Sequence, residues 1–231
     1  MNPNHLTHNR YGALALGLSA LLFAVFPLVR PFFPLDPSSP VGTLAVASPA
    51  VTSTPWIGAH MGLMIAFVLL VYGVLALYCH LATSPLEPRA RRAVMWSLAG
   101  IVLIMPMLGV EVHILPILGE LYLDGQTGIA PAVGHIYLGP AIGGFLVGLI
   151  MLAIGAITFA SAIWHSEVLP RWAGVCFAIG LALWFPPFPR MIRTLDGFLI
   201  GVGGIWLAWG IWQMRDRRYQ GFRRCSTTTS L

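Results

Sequence analysis

Lysine is missing altogether: all 13 basic side chains counted as Lys or Arg in this 231-residue chain are arginines. A retinal or pyridoxal Schiff base needs a lysine amine, and a Walker A loop needs its lysine on the phosphates, so both chemistries are excluded. Cysteine is scarce as well. Cys79, Cys176 and Cys225 form no C-x-x-C pair, which removes thiol-disulfide exchange and a thiolate zinc site; they read as reduced, small apolar packing residues. Charge is the third scarcity. Only 9% of residues are charged while 57% are apolar, and the mean hydropathy of +0.80 exceeds what the core of a water-soluble domain requires.

Long apolar runs fill the space that charge leaves. A hydrocarbon core of about 30 Å is crossed by roughly 20 apolar residues as a helix, with every amide bonded inside its own segment. Six stretches fit this rule, at about 11–29, 56–79, 93–118, 136–164, 169–185 and 197–214. The expected fold is therefore all-α, a polytopic six-transmembrane-helix bundle forming a single domain over 1–214. A proline-rich outer loop is expected at 30–55 and a basic cytoplasmic tail at 215–231. Ala45-Val46-Ala47 has the look of a signal-peptidase site, but it lies far beyond the first apolar run. An uncleaved anchor helix is therefore expected.

Arginine sets the orientation. With the N-terminus inside, Arg10, Arg89, Arg91, Arg92, Arg171, Arg215, Arg217, Arg218, Arg223 and Arg224 lie on the cytoplasmic side, leaving only Arg30, Arg190 and Arg193 outside. The outer loop 119–134 carries Glu120 and Asp124 and no base. Both termini are thus expected in the cytoplasm, in a bacterial cytoplasmic (inner) membrane.

Partners follow from the same pattern. The lipid bilayer is the first, and the arginine-rich tail suits anionic lipid better than nucleic acid. Gly139-x-x-x-Gly143, Gly144-x-x-x-Gly148 and Gly197-x-x-x-Gly201 allow close helix approach, within the bundle or in a homo-oligomer or membrane complex.

Ionisable groups inside a span are costly and mark candidate sites. Glu111 is the one acid well inside a span, and His60 lies at similar depth. Arg190 and Arg193 approach from the last outer loop, so Glu111, His60, Arg190 and Arg193 form the expected ligand-binding or ion-pair group. Asp196 competes for Arg193. A metal set of His60, His113, His135 and Glu111 would suit zinc, copper or iron. Glu111 and His113 point about 200° apart on a regular helix, so sharing an ion requires distortion, which Pro106 and Pro116 can supply by freeing the carbonyls of Val102 and Val112. Haem is disfavoured, because His60 with His80 and His135 with His165 lie at opposite helix ends, too far out for axial ligation. No complete catalytic motif is present, so three classes stay open: a non-enzymatic membrane protein or accessory subunit, a small-solute permease using Glu111, and a metal-dependent or redox membrane enzyme.

Three segments, Trp56-Ile57-Gly58-Ala59-His60-Met61-Gly62, Gly109-Val110-Glu111-Val112-His113-Ile114-Leu115-Pro116 and Leu169-Pro170-Arg171-Trp172-Ala173-Gly174, resemble small six-helix membrane proteins of high-GC bacteria. Those proteins often place a histidine at the start of helix two and a glutamate in helix three. The resemblance implies the six-helix fold and brings no activity with it.

Overall fold

The computed structural model describes residues 4–33, 40–82, 84–166, 168–184 and 189–228, and within them all side chains but those of 4–9, 40–43, 138 and 214–228. The described residues are helical almost throughout, with no strand among them. In chain order the helices are α1 (Asn4–Val29), α2 (Pro40–Val51), α3 (Thr54–Leu81), α4 (Glu87–Gly109), a π turn (Val110–Ile114), α5 (Leu115–Leu123), a 3-10 turn (Thr127–Ile129), α6 (Ala130–Leu138), α7 (Pro140–Ser166), α8 (Arg171–Leu183) and α9 (Arg190–Thr228).

Five helical stretches are long and apolar enough to cross a membrane: Arg10–Val29, Thr54–Leu81, Glu87–Leu123, Thr127–Ser166 and Arg190–Gln213. The expected fifth span is shorter. α8 has 13 residues, about 20 Å of helix, and Phe185, where that span was expected to end, lies outside the described residues. The expected fourth span is also interrupted. Pro140 cannot donate an amide and pushes its predecessor out of helix, and Gly139 is accordingly extended at φ −90, ψ −173, so α6 ends there and α7 begins anew. The segment expected as a loop contains α2, whereas the basic tail is helical as far as Thr228. The side chains of its arginines and of Cys225 are not among those described.

The long helices pack as a ring in the order α3, α1, α9, α8, α7, α4, and the α4–α3 seam that closes the ring is the most sparsely packed. Glycine sets the tight contacts. A Cβ on Gly100 would meet the Leu152 amide at 2.6 Å and the Gly148 carbonyl at 2.7 Å, which brings α4 and α7 backbone to backbone. Gly197, Gly201 and Gly204 of α9 lie on Phe23, Ala24 and Ala20 of α1. Gly143 and Gly144 have no neighbour within 4 Å of such a Cβ. Of the two free cysteines described, Cys79 is exposed and Cys176 half-buried.

The centre of the ring holds Trp184, the residue after α8, which is 3% exposed. Its ring meets Phe23 of α1 at 6.0 Å, Phe67 of α3 at 5.4 Å and Phe145 of α7 at 6.4 Å, all edge-on, the geometry that the aromatic quadrupole favours. Beyond the ring, α2, α5 and α6 form a small cap. Leu44, Ala130 and Val133 pack with Tyr122 and Tyr137, and Ala47, Val51 and Leu115 pack onto Trp56.

Candidate functional site

The site grows from one proline. In an α-helix the Glu111 carbonyl would accept from the Leu115 amide, but that amide bonds the Val110 carbonyl, one residue further back, as a π turn requires. The next possible donor, residue 116, is a proline without an N–H. The Glu111 carbonyl is therefore orphaned inside the bundle, and a buried orphan needs a partner. The Trp56 indole supplies it, with Nε1–H donating at 3.0 Å across the α3–α4 seam. The distortion expected from Pro116 is thus present, and with the π turn it strands the Glu111 carbonyl, which the expectation for Val112 had not named.

Trp56 is held in place by the start of α3. Ser53 is extended (φ −75, ψ 146), its Oγ accepts from the Trp56 amide, and Pro55 occupies the first turn. One turn on, His60 stacks on the Trp56 ring at 4.2 Å, and its Nδ1 lies 2.8 Å from the Trp56 carbonyl. A carbonyl only accepts, so Nδ1 carries the hydrogen. In the neutral ring that leaves a lone pair on Nε2, and Nε2 faces Glu111 Oε2 at 3.7 Å. Two lone-pair atoms thus confront each other, with one proton to be placed between them. His60 is 3% exposed and Glu111 13%. The other carboxylate oxygen, Oε1, accepts from the Tyr137 hydroxyl at 2.9 Å.

Around this pair lie three arginines. Arg30, just beyond α1, stacks over the Trp56 ring at 4.6 Å and over Phe32 at 5.4 Å. Burial lowers its pKa from the ordinary value, and the negative charge of Glu111 works against that lowering. Arg190 is exposed and stacks on the other partner of Arg30, Phe32, at 5.2 Å. Arg193 is 2% exposed and stacks over Phe26 at 5.5 Å and Trp184 at 5.8 Å; Asp196 acts on it more strongly than Glu111 does.

The structure therefore brings together His60 and Glu111, with Arg193 and Asp196 next to them, and sets Arg190 at the rim. It does not bring in His113 or His135. The π turn that aims Glu111 inward leaves His113 exposed, and His135 is exposed on α6 while Tyr137, two residues on, reaches the carboxylate. The expected metal set of His60, His113, His135 and Glu111 is thus divided. Among the described residues no three His, Cys, Asp or Glu side chains converge as metal ligands. Two donors fall short of the three or four protein ligands that zinc takes.

Sequence reasoning missed Tyr137, the structural part played by Trp56, and Arg30, which entered only the charge tally. The signal for Arg30 was its place on the arginine-poor side, next to Phe32 and Phe33. Trp56 was marked by its spacing of four from His60, and Tyr137 by its spacing of two from a histidine that faces away.

No protein-family model, curated protein or solved structure matches this chain, so the candidate site rests on its own geometry.

Proposed function

We propose that the chain is a six-crossing protein of the bacterial cytoplasmic membrane with both termini inside, and that it works as a small proton-linked permease whose outward-facing site is Glu111 with His60. The ten-to-three arginine distribution supports the orientation. An even number of crossings is supported by Arg10, near the start of α1, which stacks on Trp212 near the end of the apolar part of α9 at 5.3 Å. Five crossings would separate those residues by the thickness of the membrane. α8, capped by Trp184, supplies the sixth.

The observation that carries the permease function is the pair of facing lone-pair atoms, His60 Nε2 and Glu111 Oε2, 3.7 Å apart at the loosest seam of the ring. Such a pair takes up one proton and gives it back with a small movement of either helix. The π turn at Glu111 is a recurrent feature of functional helices, and an interrupted helix beside a polar group recurs in transporters. Below the pair, Trp184 and its aromatic neighbours close the axis of the ring, so that the site communicates with one side at a time.

The test is proton flux into liposomes that contain the purified protein and a trapped pH indicator, under an imposed membrane potential. Wild type is expected to carry protons above the level of empty liposomes, and Glu111→Gln to return to that level. Equal flux with and without the carboxylate ends the proposal.

A further inference from the structure

We propose that the outer end of the bundle binds a small oxyanion, a carboxylate or phosphate group, on the edge of the Arg30 guanidinium with Arg190 as the second cation. This inference rests on the permease function just argued and names the chemical class of its cargo.

The geometry of Arg30 supplies the argument. Its Cζ lies over the Trp56 ring at 4.6 Å and over the Phe32 ring at 5.4 Å. Ring faces attract the cation but offer its N–H groups no lone pair, and the planar fork of those groups matches the two oxygens of a carboxylate or phosphate. The Nε–H is buried and has no hydrogen-bond partner among the described residues. A buried donor without an acceptor is costly, and one on a cation more so.

The nearest carboxylate does not meet this need. Glu111 acts on Arg30 only through its field, since its Oε1 takes the Tyr137 hydroxyl and its Oε2 faces His60. Among the described residues, the ion pairs within 4.0 Å are His60–Glu111 and Arg91–Glu87, neither involving Arg30. Among the described residues no carboxylate pairs with Arg30, and the proposed acceptor is an anion from outside the chain. Arg190 lies over the same Phe32 ring at 5.2 Å and is exposed, which makes it the proposed second cation.

Arg30, Arg190 and Arg193 are the three arginines expected outside, where the positive-inside tendency predicts few, and all three lie around this end of the bundle. An anion at Arg30 and a proton on the Glu111–His60 pair carry opposite charge, which gives each of the two groups a reason to be near the other.

The oxygen-bearing anion could be a free solute or the headgroup of a lipid, and the experiment separates the two. Purified protein in a maltoside detergent is titrated with sodium phosphate, with sodium acetate, and with phosphatidylglycerol. Sodium chloride holds the ionic strength constant, and tryptophan fluorescence and thermal unfolding are read together. Saturable binding of phosphate or acetate supports a soluble anion, and saturation by phosphatidylglycerol alone supports a lipid headgroup. In either case Arg30→Lys, which keeps the charge and loses the planar fork, is expected to weaken binding about tenfold or more, and Arg30→Gln further still. Arg91→Gln, on the opposite face, should leave binding unchanged. Absence of saturable binding by all three probes overturns the proposal, and so does binding that Arg30→Lys and Arg30→Gln leave undiminished. Glu111→Gln is expected to retain the anion while losing proton flux, so failure of the anion site and failure of the proton site give different results.

Discussion

Replacing Trp56 by Phe should destabilise the protein by an amount that depends on residue 116, sixty positions away in sequence. The Trp56 indole is the donor to the Glu111 carbonyl at 3.0 Å, and no backbone amide can replace it, because the Leu115 amide is engaged by Val110 and Pro116 has none. Stranding a buried carbonyl costs about 1–3 kcal/mol. Trp56 is also fully buried, and the smaller ring leaves a void worth roughly another 1–2 kcal/mol, by comparison with complete truncation of aromatic residues. Trp56→Phe alone is therefore expected to cost about 2–5 kcal/mol. Pro116→Ala restores an amide one π turn beyond Glu111, able to take over the orphaned carbonyl. In that background Trp56→Phe should lose only the packing part. The coupling between the two changes is then about 1–2 kcal/mol, measurable by denaturant unfolding of the four proteins in detergent. Additivity to within about 0.5 kcal/mol would refute the link between the proline, the π turn and the indole.

Gly100→Ala is expected to destabilise by about 1–3 kcal/mol, because its Cβ would meet Leu152 and Gly148 backbone that cannot give way, whereas Gly143→Ala, with nothing within 4 Å, should be neutral or slightly stabilising in the same thermal assay. Trp184→Ala should open the axis beneath the site and raise passive proton leak in liposomes; leak at the wild-type level would deny Trp184 its part as a plug. With Cys79, Cys176 and Cys225 replaced, a cysteine at Asp124 should react with an impermeant thiol reagent in intact cells and one at Ser84 should not. The opposite pattern would invert the assigned topology.

The apolar runs made most of the bundle legible, because hydropathy reports directly on the solvent a helix must face. The parts that were not legible depend on local chemistry or on rotation about a helix axis. α2 has 12 residues and starts among prolines, so its composition reads as loop, and what supports it is packing of Ala47, Val51 and Leu44 onto the cap. The end of α6 at Gly139 could have been read from Pro140 alone, whereas the apolar run passes straight through it. Glu111 and His60 were legible because charge inside an apolar run is costly wherever it points. Tyr137 and Arg30 were not, since a tyrosine and an arginine near a helix end look like ordinary interfacial anchors until the helices are brought together. The separation of His113 from Glu111 was foreseen from helical geometry. The direction in which Pro116 would distort that geometry was not, because a π turn and a plain kink begin from the same missing N–H.

The central claim is that Glu111 and His60 share one exchangeable proton, and infrared difference spectroscopy of the carboxyl group during a pH titration tests it most directly. The account predicts a protonated-carboxyl band that appears and disappears reversibly with external pH, is absent in Glu111→Gln, and titrates with a different midpoint in His60→Gln, where no basic imidazole nitrogen competes for the proton. A spectrum with no band that Glu111→Gln removes, or a midpoint unchanged in His60→Gln, would contradict it.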